Sequence, residues 1–265
     1  MTGRLFSVCL LQILFFCSGS LEAREGQVQA QKTMEDTPRV IAVQGAISRN
    51  LLRSLRGLLS KDLTDSFPAG LIVLLDSPGG DGFAAMELGE LLRRAKAHVF
   101  VTGQCASACV LVLASGVVRG AGAYTVGLHR GRVTVSYADG KVKRELQPQN
   151  DPEAARVFRE FETAARQYLS RMGLSPVVFE TMQKFERRSV YRLNNQEMRD
   201  YGVVGVEPQY LIERTQQFPL LTQSNGITPI GFMQRIQRVP VRCAGLDRDK
   251  IAFVECYRNA LISSK

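Results

Sequence analysis

The chain contains no tryptophan and only two histidines, His98 and His129, among its 265 residues. Any catalytic imidazole is therefore one of these two. Its formal net charge is +9, but lysine and arginine are scattered rather than grouped in blocks. No nucleic-acid motif and no stripe of basic and aromatic residues accompanies this charge. We therefore expect a solvated basic surface and no nucleic-acid partner.

Long apolar runs are also scarce, and the most informative one lies near the N-terminus. Arg4 precedes the apolar residues 5–16, and small residues follow up to Ala23. This order is typical of a cleaved signal peptide, and the run is short for a membrane span. We therefore predict a signal peptide over residues 1–23, a flexible polar lead-in over residues 24–38, and a periplasmic or secreted protein. The alternative is a membrane anchor formed by an uncleaved signal.

Cysteine is limited to six residues, two of which lie in the predicted signal peptide. Cys105, Cys109, Cys243 and Cys256 remain after cleavage, and an even number in an oxidising compartment predicts two disulfides. Cys243 and Cys256 are spaced to close a C-terminal loop, but the sequence does not choose between local and crossed pairing. Neither pair has the two-residue spacing of a zinc knuckle, so we expect no metal site.

The centre of the chain begins with the dense apolar run Leu71–Leu75, which predicts a buried strand. The strand breaks at Ser77-Pro78-Gly79-Gly80, where proline fixes one dihedral angle and two glycines permit a tight backbone approach. A helical pattern follows from Ala84 to Ala95. A second strand is predicted over residues 97–102.

Ser107 follows this second strand and precedes an apolar helix predicted over Val110–Ala114. A serine at a strand-to-helix turn presents its hydroxyl beside exposed backbone N–H groups, as a nucleophile for acyl transfer requires. The alternative interpretation is a helix N-cap, a position that serine often occupies. His129 follows about twenty residues later, after a glycine-rich segment.

These features in this order resemble the proteolytic subunit of Clp protease and its crotonase-fold relatives, most closely the predicted periplasmic branch of that superfamily. The resemblance covers roughly Val40–Glu207. It implies an α/β fold, a crotonase-like spiral of ββα repeats over residues 39–207. A C-terminal extension, residues 208–265, has no counterpart in the resemblance, and we expect a disulfide to pin it.

The resemblance also implies roles for individual residues. Ser107 is the expected nucleophile and His129 its general base, whereas His98 is expected to be a core or surface residue within a strand. The backbone N–H groups of Gly80 and Ala108 are the expected donors to the oxyanion. The alternative for His129 is a structural histidine at the end of a strand.

The third member of a catalytic triad is where the sequence departs from the family. Aligning Tyr201-Gly202 with the family's own Tyr-Gly places the orienting aspartate near Val190, which accepts no hydrogen bond from an imidazole. Glu186 and Asp200 are the nearest carboxylates in sequence. A dyad, a substituted acid and an inactive descendant all remain open. A lysine base is the remaining alternative, although nothing near Lys184 marks it as desolvated.

Together these features predict an exported serine hydrolase, a Clp-like peptidase that acts on peptides or unfolded segments without ATP. No cofactor and no ATPase partner are expected, and the resemblance implies a homo-oligomer. Two alternatives belong to other classes. One is a catalytically inactive binding or assembly module with the same fold. The other is an enzyme acting on coenzyme A esters, because the glycine loop alone does not distinguish thioester from peptide chemistry.

Overall fold

A computed structural model describes residues 38–59, 68–137, 141–217, 227–246 and 248–262. The predicted signal peptide and residues 24–37 of the predicted lead-in lie outside these ranges. Within the described residues, no helix is long and apolar enough to cross a membrane. The predicted α/β class is confirmed, because helices cover a sheet whose strand pairs are mainly parallel.

Seven strands form the main sheet and two form a separate hairpin. The strands of the main sheet are β1 (Arg39–Gln44), β2 (Leu71–Ser77), β3 (His98–Ala106), β4 (Val118–Gly120), β5 (Val126–Leu128), β8 (Tyr191–Arg192) and β9 (Gly205–Val206). The hairpin strands are β6 (Val133–Ser136) and β7 (Val142–Leu146). The main order is β1-β2-β3-β4-β9, and β5 pairs with both β3 and β8. The ββα spiral repeat itself stays a prediction.

The helices before residue 208 lie where apolar periodicity and capping residues predict them, whereas the helices after it were not predicted. They are α1 (Arg49–Leu59), α2 (Gly82–Arg94), α3 (Cys109–Ala114), α4 (Pro152–Arg171), α5 (Pro176–Lys184), α6 (Asn195–Asp200), α7 (Pro208–Gln217), α8 (Pro229–Arg242) and α9 (Lys250–Ile262). Asp81 caps α2 by accepting from the Ala84 N–H, and Asp151 caps α4. Such caps satisfy N–H groups that lack a partner within the helix.

The apolar run of β2 is buried on both faces of the sheet. Leu71, Val73 and Leu75 belong to a core beneath α1 to α5, whereas Ile72 and Leu74 belong to a second core on the opposite face. Successive side chains of a strand point to opposite faces, so a strand covered on both sides is continuously apolar. The prediction of a buried strand is therefore confirmed.

Helix α4 packs against the first core of its own chain. It buries one face of five side chains, namely Ala154, Phe158, Ala165, Tyr168 and Leu169. The Tyr168 hydroxyl donates to the Leu111 carbonyl of α3 at 2.9 Å. This packing accounts for the apolar periodicity of α4 without requiring a neighbouring subunit. Self-association stays a prediction.

The residues after Pro208 form the layer on the second face. Helices α7, α8 and α9 pack on this side of the sheet, and a disulfide joins Cys243 at the end of α8 to Cys256 in α9. The predicted C-terminal disulfide is therefore confirmed. The extension supplies most of the residues of this second core and covers apolar residues of β2 and β3 that the sheet otherwise exposes.

His98 lies inside this second core and is fully buried, so of the two expected positions, core or surface, it occupies the core. Its Nδ1 lies 2.7 Å from the Tyr257 hydroxyl and its Nε2 lies 2.7 Å from the Tyr210 hydroxyl. Burial and the nearby Arg214 hold the pKa of His98 well below its ordinary value of 6.5. His98 is thus a neutral, hydrogen-bonded core residue that links β3 to the C-terminal helices.

Candidate active site

Strand β3 brings the predicted site together because its two halves pair with different strands. Its start pairs with β4, whereas Cys105 pairs with Val126 and Ala106 with Gly127 in β5. The Ser107 N–H then donates to the Gly127 carbonyl at 3.1 Å. Parallel pairing therefore carries the chain after β3 and the chain after β5 to the same edge of the sheet. Ser107 and His129 both leave the sheet at this edge.

Ser107 has a backbone conformation that is rare for a residue with a side chain. Its φ is +56°, in the left-handed region, which costs an L-residue about 1–2 kcal/mol. A single residue in such a conformation is typical of active sites and tight turns. The side chain is half-buried.

The N-cap interpretation of Ser107 does not describe the structure. Ala108, not Ser107, occupies the N-cap position of α3, and no side chain caps this helix. Within the described residues, the Ser107 hydroxyl makes no hydrogen bond, including none to His129. Hydrogen bonds of catalytic groups are often formed only when substrate is bound.

The glycine loop after β2 packs directly on the Ser107 turn. Gly79 has φ +104°, and a Cβ at this position would lie 2.7 Å from both the Ala106 carbonyl oxygen and the Ser107 Cβ. The buried Ser77 hydroxyl accepts from the Gly79 N–H at 3.1 Å and so fixes the loop. Only glycine permits this approach, because any other residue would collide with backbone and Cβ atoms that have no room to move.

Gly80 is oriented by its pairing with Ile47. The Ile47 N–H donates to the Gly79 carbonyl and the Asp81 N–H donates to the Ile47 carbonyl, both at 2.8 Å. Because N–H groups alternate in direction along a strand, the Gly80 N–H points away from Ile47. Gly80 is exposed, and its N–H has no acceptor among the described residues.

The N–H of Ala108 is the second donor at this place. The Ala108 nitrogen lies 3.0 Å from the position that a Cβ on Gly79 would occupy. It precedes the first turn of α3, where N–H groups lack partners within the helix, and it has no acceptor among the described residues. Gly80 follows the residue that contacts Ser107, and Ala108 follows Ser107 itself, so two backbone N–H groups without an acceptor among the described residues flank this contact in sequence. This arrangement can bind a developing oxyanion.

His129 is 9% exposed and has a defined tautomer. Its Nδ1 lies 2.9 Å from the Arg130 carbonyl oxygen. Since a carbonyl oxygen only accepts, Nδ1 carries the proton of this hydrogen bond, which is the tautomer in which Nε2 is the basic nitrogen of a neutral imidazole. The Arg130 carbonyl therefore orients the imidazole as a carboxylate does in a triad. Sequence motifs do not reveal this partner, because every residue has a carbonyl group.

The structure does not bring the candidate carboxylates to His129. Strand β8 pairs Arg192 with Gly127 and Tyr191 with Leu128. If this register is continued by one residue, Val190 lies opposite His129. Glu186 is exposed, and Asp200 accepts from Gln196 within α6. Among the described contacts, neither carboxylate reaches the imidazole. Neither Glu186 nor Asp200 is therefore selected as the third member of a triad, and that member stays a prediction.

Aromatic side chains join the two halves of the site. The Phe161 ring of α4 lies against both Gly82, after the glycine loop, and Gly131, after His129. Its centroid is 5.7 Å from that of Phe83, which is partly exposed. The apolar periodicity of α4 includes Phe161 but does not reveal this location.

The cysteine pairing is local at both ends of the chain. Cys105 is bonded to Cys109 with a Cα–Cα distance of 5.2 Å, and Cys243 is bonded to Cys256. The prediction of two disulfides is confirmed, and the crossed pairing is not formed. The first disulfide encloses Ser107. Within the described ranges, no three His, Cys, Asp or Glu side chains are grouped to hold a metal ion.

Comparisons with known proteins add a distant structural neighbour. No protein-family model and no curated protein matches the chain. A solved structure of a mutant of ClpP1 from Listeria monocytogenes is similar to it, with 16% identity and a TM-score of 0.45. The similarity covers 68% of this chain and 93% of that chain. We therefore infer the function from the geometry around Ser107 alone.

Proposed function

We propose that this protein is an exported serine hydrolase, and specifically a peptidase that acts on short peptides or unfolded segments without ATP. The observation that carries the proposal is the left-handed Ser107 beside the N–H groups of Gly80 and Ala108. A serine nucleophile needs both an accessible hydroxyl and donors for the oxyanion, and the half-buried Ser107 adjoins N–H groups that have no acceptor among the described residues.

In the proposed reaction, Ser107 Oγ attacks the carbonyl carbon of the scissile bond while His129 Nε2 accepts the hydroxyl proton. The negative charge on the former carbonyl oxygen is stabilised by the N–H groups of Gly80 and Ala108. The imidazolium then gives its proton to the leaving amine. A water molecule, deprotonated by the same nitrogen, releases the acyl group from Ser107.

The Arg130 carbonyl limits the expected rate. Because it is neutral, it fixes the tautomer of His129 but stabilises the imidazolium less than a carboxylate does. In a serine protease, loss of the correct tautomer costs about 10⁴-fold in kcat. Since the correct tautomer is kept here, we expect activity that is below that of a full triad but well above that of an enzyme lacking the base.

Two further features support an extracytoplasmic location. The N-terminal residues have the pattern of a signal peptide, and the two disulfides are of a kind that persists in oxidising compartments. Such compartments lack ATP, so a ring-shaped unfoldase is not an expected partner. Substrates are then limited to chains that are already short or unfolded.

The test is covalent labelling of the oxidised, signal-free protein by a fluorophosphonate. We expect labelling of the wild type at Ser107, none of Ser107→Ala, and much slower labelling of His129→Ala. A mixture of short unstructured peptides, followed by mass spectrometry, then reports the bonds that are cut. New peptide termini should depend on Ser107. A folded wild type that neither labels nor cleaves would support the inactive binding module instead.

A further inference from the structure

The Cys105–Cys109 disulfide encloses the residue on which the proposed chemistry depends. Cys105 lies at the end of β3, where its N–H donates to the Thr125 carbonyl at 2.9 Å. Cys109 is the first residue of α3. The covalent ring between them contains only three other residues, and Ser107 is the middle one. The bond therefore ties the last but one residue of the strand to the first residue of the helix, on either side of the left-handed turn.

A left-handed serine needs a restraint, because the right-handed region is open to it at lower energy. Relaxation of Ser107 from φ +56° to negative φ reverses the turn and moves Cys109 relative to Cys105. The disulfide keeps the two Cα atoms 5.2 Å apart and opposes that movement. Gly79 packs closely on the same turn. Ser107 is thus held between a covalent ring and a close backbone contact.

Both cysteines are fully buried, which indicates how the bond acts. A redox-active cysteine pair is accessible to its partner thiols, whereas a buried pair is inert until the protein opens. We infer that the Cys105–Cys109 disulfide is a positioning element that holds Ser107 left-handed and keeps the Ala108 N–H beside that of Gly80. This inference rests on the proposed function for its catalytic consequence, but its structural part can be measured independently.

The second disulfide provides a matched control. Cys243 and Cys256 are 13 residues apart rather than 4, and they join helices on the other face of the sheet. Loop-closure entropy grows with loop length, so removing the disulfide that closes the longer loop should lower the melting temperature more. Removing the shorter one should cost more reactivity. The two effects are expected in opposite order for the two bonds.

The experiment compares Cys105→Ala/Cys109→Ala with Cys243→Ala/Cys256→Ala in the signal-free protein. Fluorophosphonate labelling rates and melting temperatures are measured for both variants. We expect the first variant to label between about ten- and a hundredfold more slowly than wild type, as a small misplacement of a reacting atom predicts. The second variant should label at the wild-type rate despite its larger drop in melting temperature.

A second readout does not require activity. The one-bond Cα–Hα coupling of Ser107, measured by NMR, is sensitive to the sign of φ. It should change in the Cys105→Ala/Cys109→Ala variant and stay constant in the control. If the wild type does not label but this coupling changes as expected, the proposed function fails and the positioning role stands. If the wild type labels while the first variant keeps both its rate and its coupling, the positioning role is wrong and the function stands.

Discussion

The substitution Gly79→Ala, compared with a control glycine, distinguishes two causes of lost stability. One is the close packing of Gly79 on the Ser107 turn, and the other is the backbone strain of alanine at positive φ. A methyl group at Gly79 would lie 2.7 Å from the Ala106 carbonyl oxygen and from the Ser107 Cβ. Ala106 is held by its pairing with Gly127, and Ser107 donates to the same residue's carbonyl. The loop, rather than Ser107, must therefore move. That movement carries Gly80 away from Ser107.

The expected magnitude has two parts. Alanine at φ +104° is strained by about 1–3 kcal/mol, and overpacking against fixed atoms adds about 1–3 kcal/mol. Gly205→Ala is the matched control, because Gly205 has φ +143° but no atom within 4 Å of an added Cβ. It should lose the first part only. The difference between the two variants isolates the contact with the Ser107 turn.

Urea unfolding and fluorophosphonate labelling measure the two consequences separately. Gly79→Ala should unfold with about 1–3 kcal/mol less free energy than Gly205→Ala. Its labelling rate should fall on the order of hundredfold, as expected when an oxyanion donor is displaced, while Gly205→Ala keeps the wild-type rate. Equal stability and equal labelling of the two variants would refute the claim that Gly79 fixes the donor beside Ser107.

Two further predictions concern buried charged or titratable groups. Because burial lowers the pKa of His98, the folded state binds fewer protons than the unfolded state below the ordinary value of 6.5. The free energy of unfolding of the wild type should therefore fall as the pH decreases, and it should fall faster than that of His98→Gln by up to about 1.4 kcal/mol per pH unit. Urea unfolding between about pH 8 and pH 5 measures both profiles. Parallel profiles of the two proteins would contradict this. Arg119 donates to the carbonyls of Ala114, Gly116 and Met172, so Arg119→Met should lower the free energy of unfolding by about 2–4 kcal/mol. Burial lowers the pKa of Arg119 to about 10, so the side chain is still charged at neutral pH. A decrease in the free energy of unfolding of less than about 1 kcal/mol would contradict this role of Arg119.

Most elements were predictable because their signals are local. The apolar run of β2, the periodicity of α2 and the aspartate-proline start of α4 each specify an element within a few residues. The site turn was predictable for the same reason, since Gly79-Gly80 and Ser107 follow strands that are recognisable on their own. The parallel pairing of β3 with β5 then brings the two ends together.

The errors fall where the determining contact is distant or carries little signal. The charged sequence of β7 carries no strand signal, but its residues form a strand that pairs with β6 and places Glu145 beside Arg132. An exposed strand has no buried face, so apolar alternation does not reveal it. The Arg130 carbonyl was missed because backbone acceptors have no sequence signature. The second core was missed because it is assembled from β2 and helices more than a hundred residues later.

The most direct test of the account is a crystal structure of the fluorophosphonate-treated protein. We predict a phosphorus atom bonded to Ser107 Oγ and a phosphonyl oxygen about 2.7–3.1 Å from the nitrogens of both Gly80 and Ala108. Ser107 should keep its positive φ, and His129 Nε2 should face the adduct. A folded protein without an adduct, or an adduct whose oxygen points away from both N–H groups, would contradict the assignment of this turn as the catalytic site.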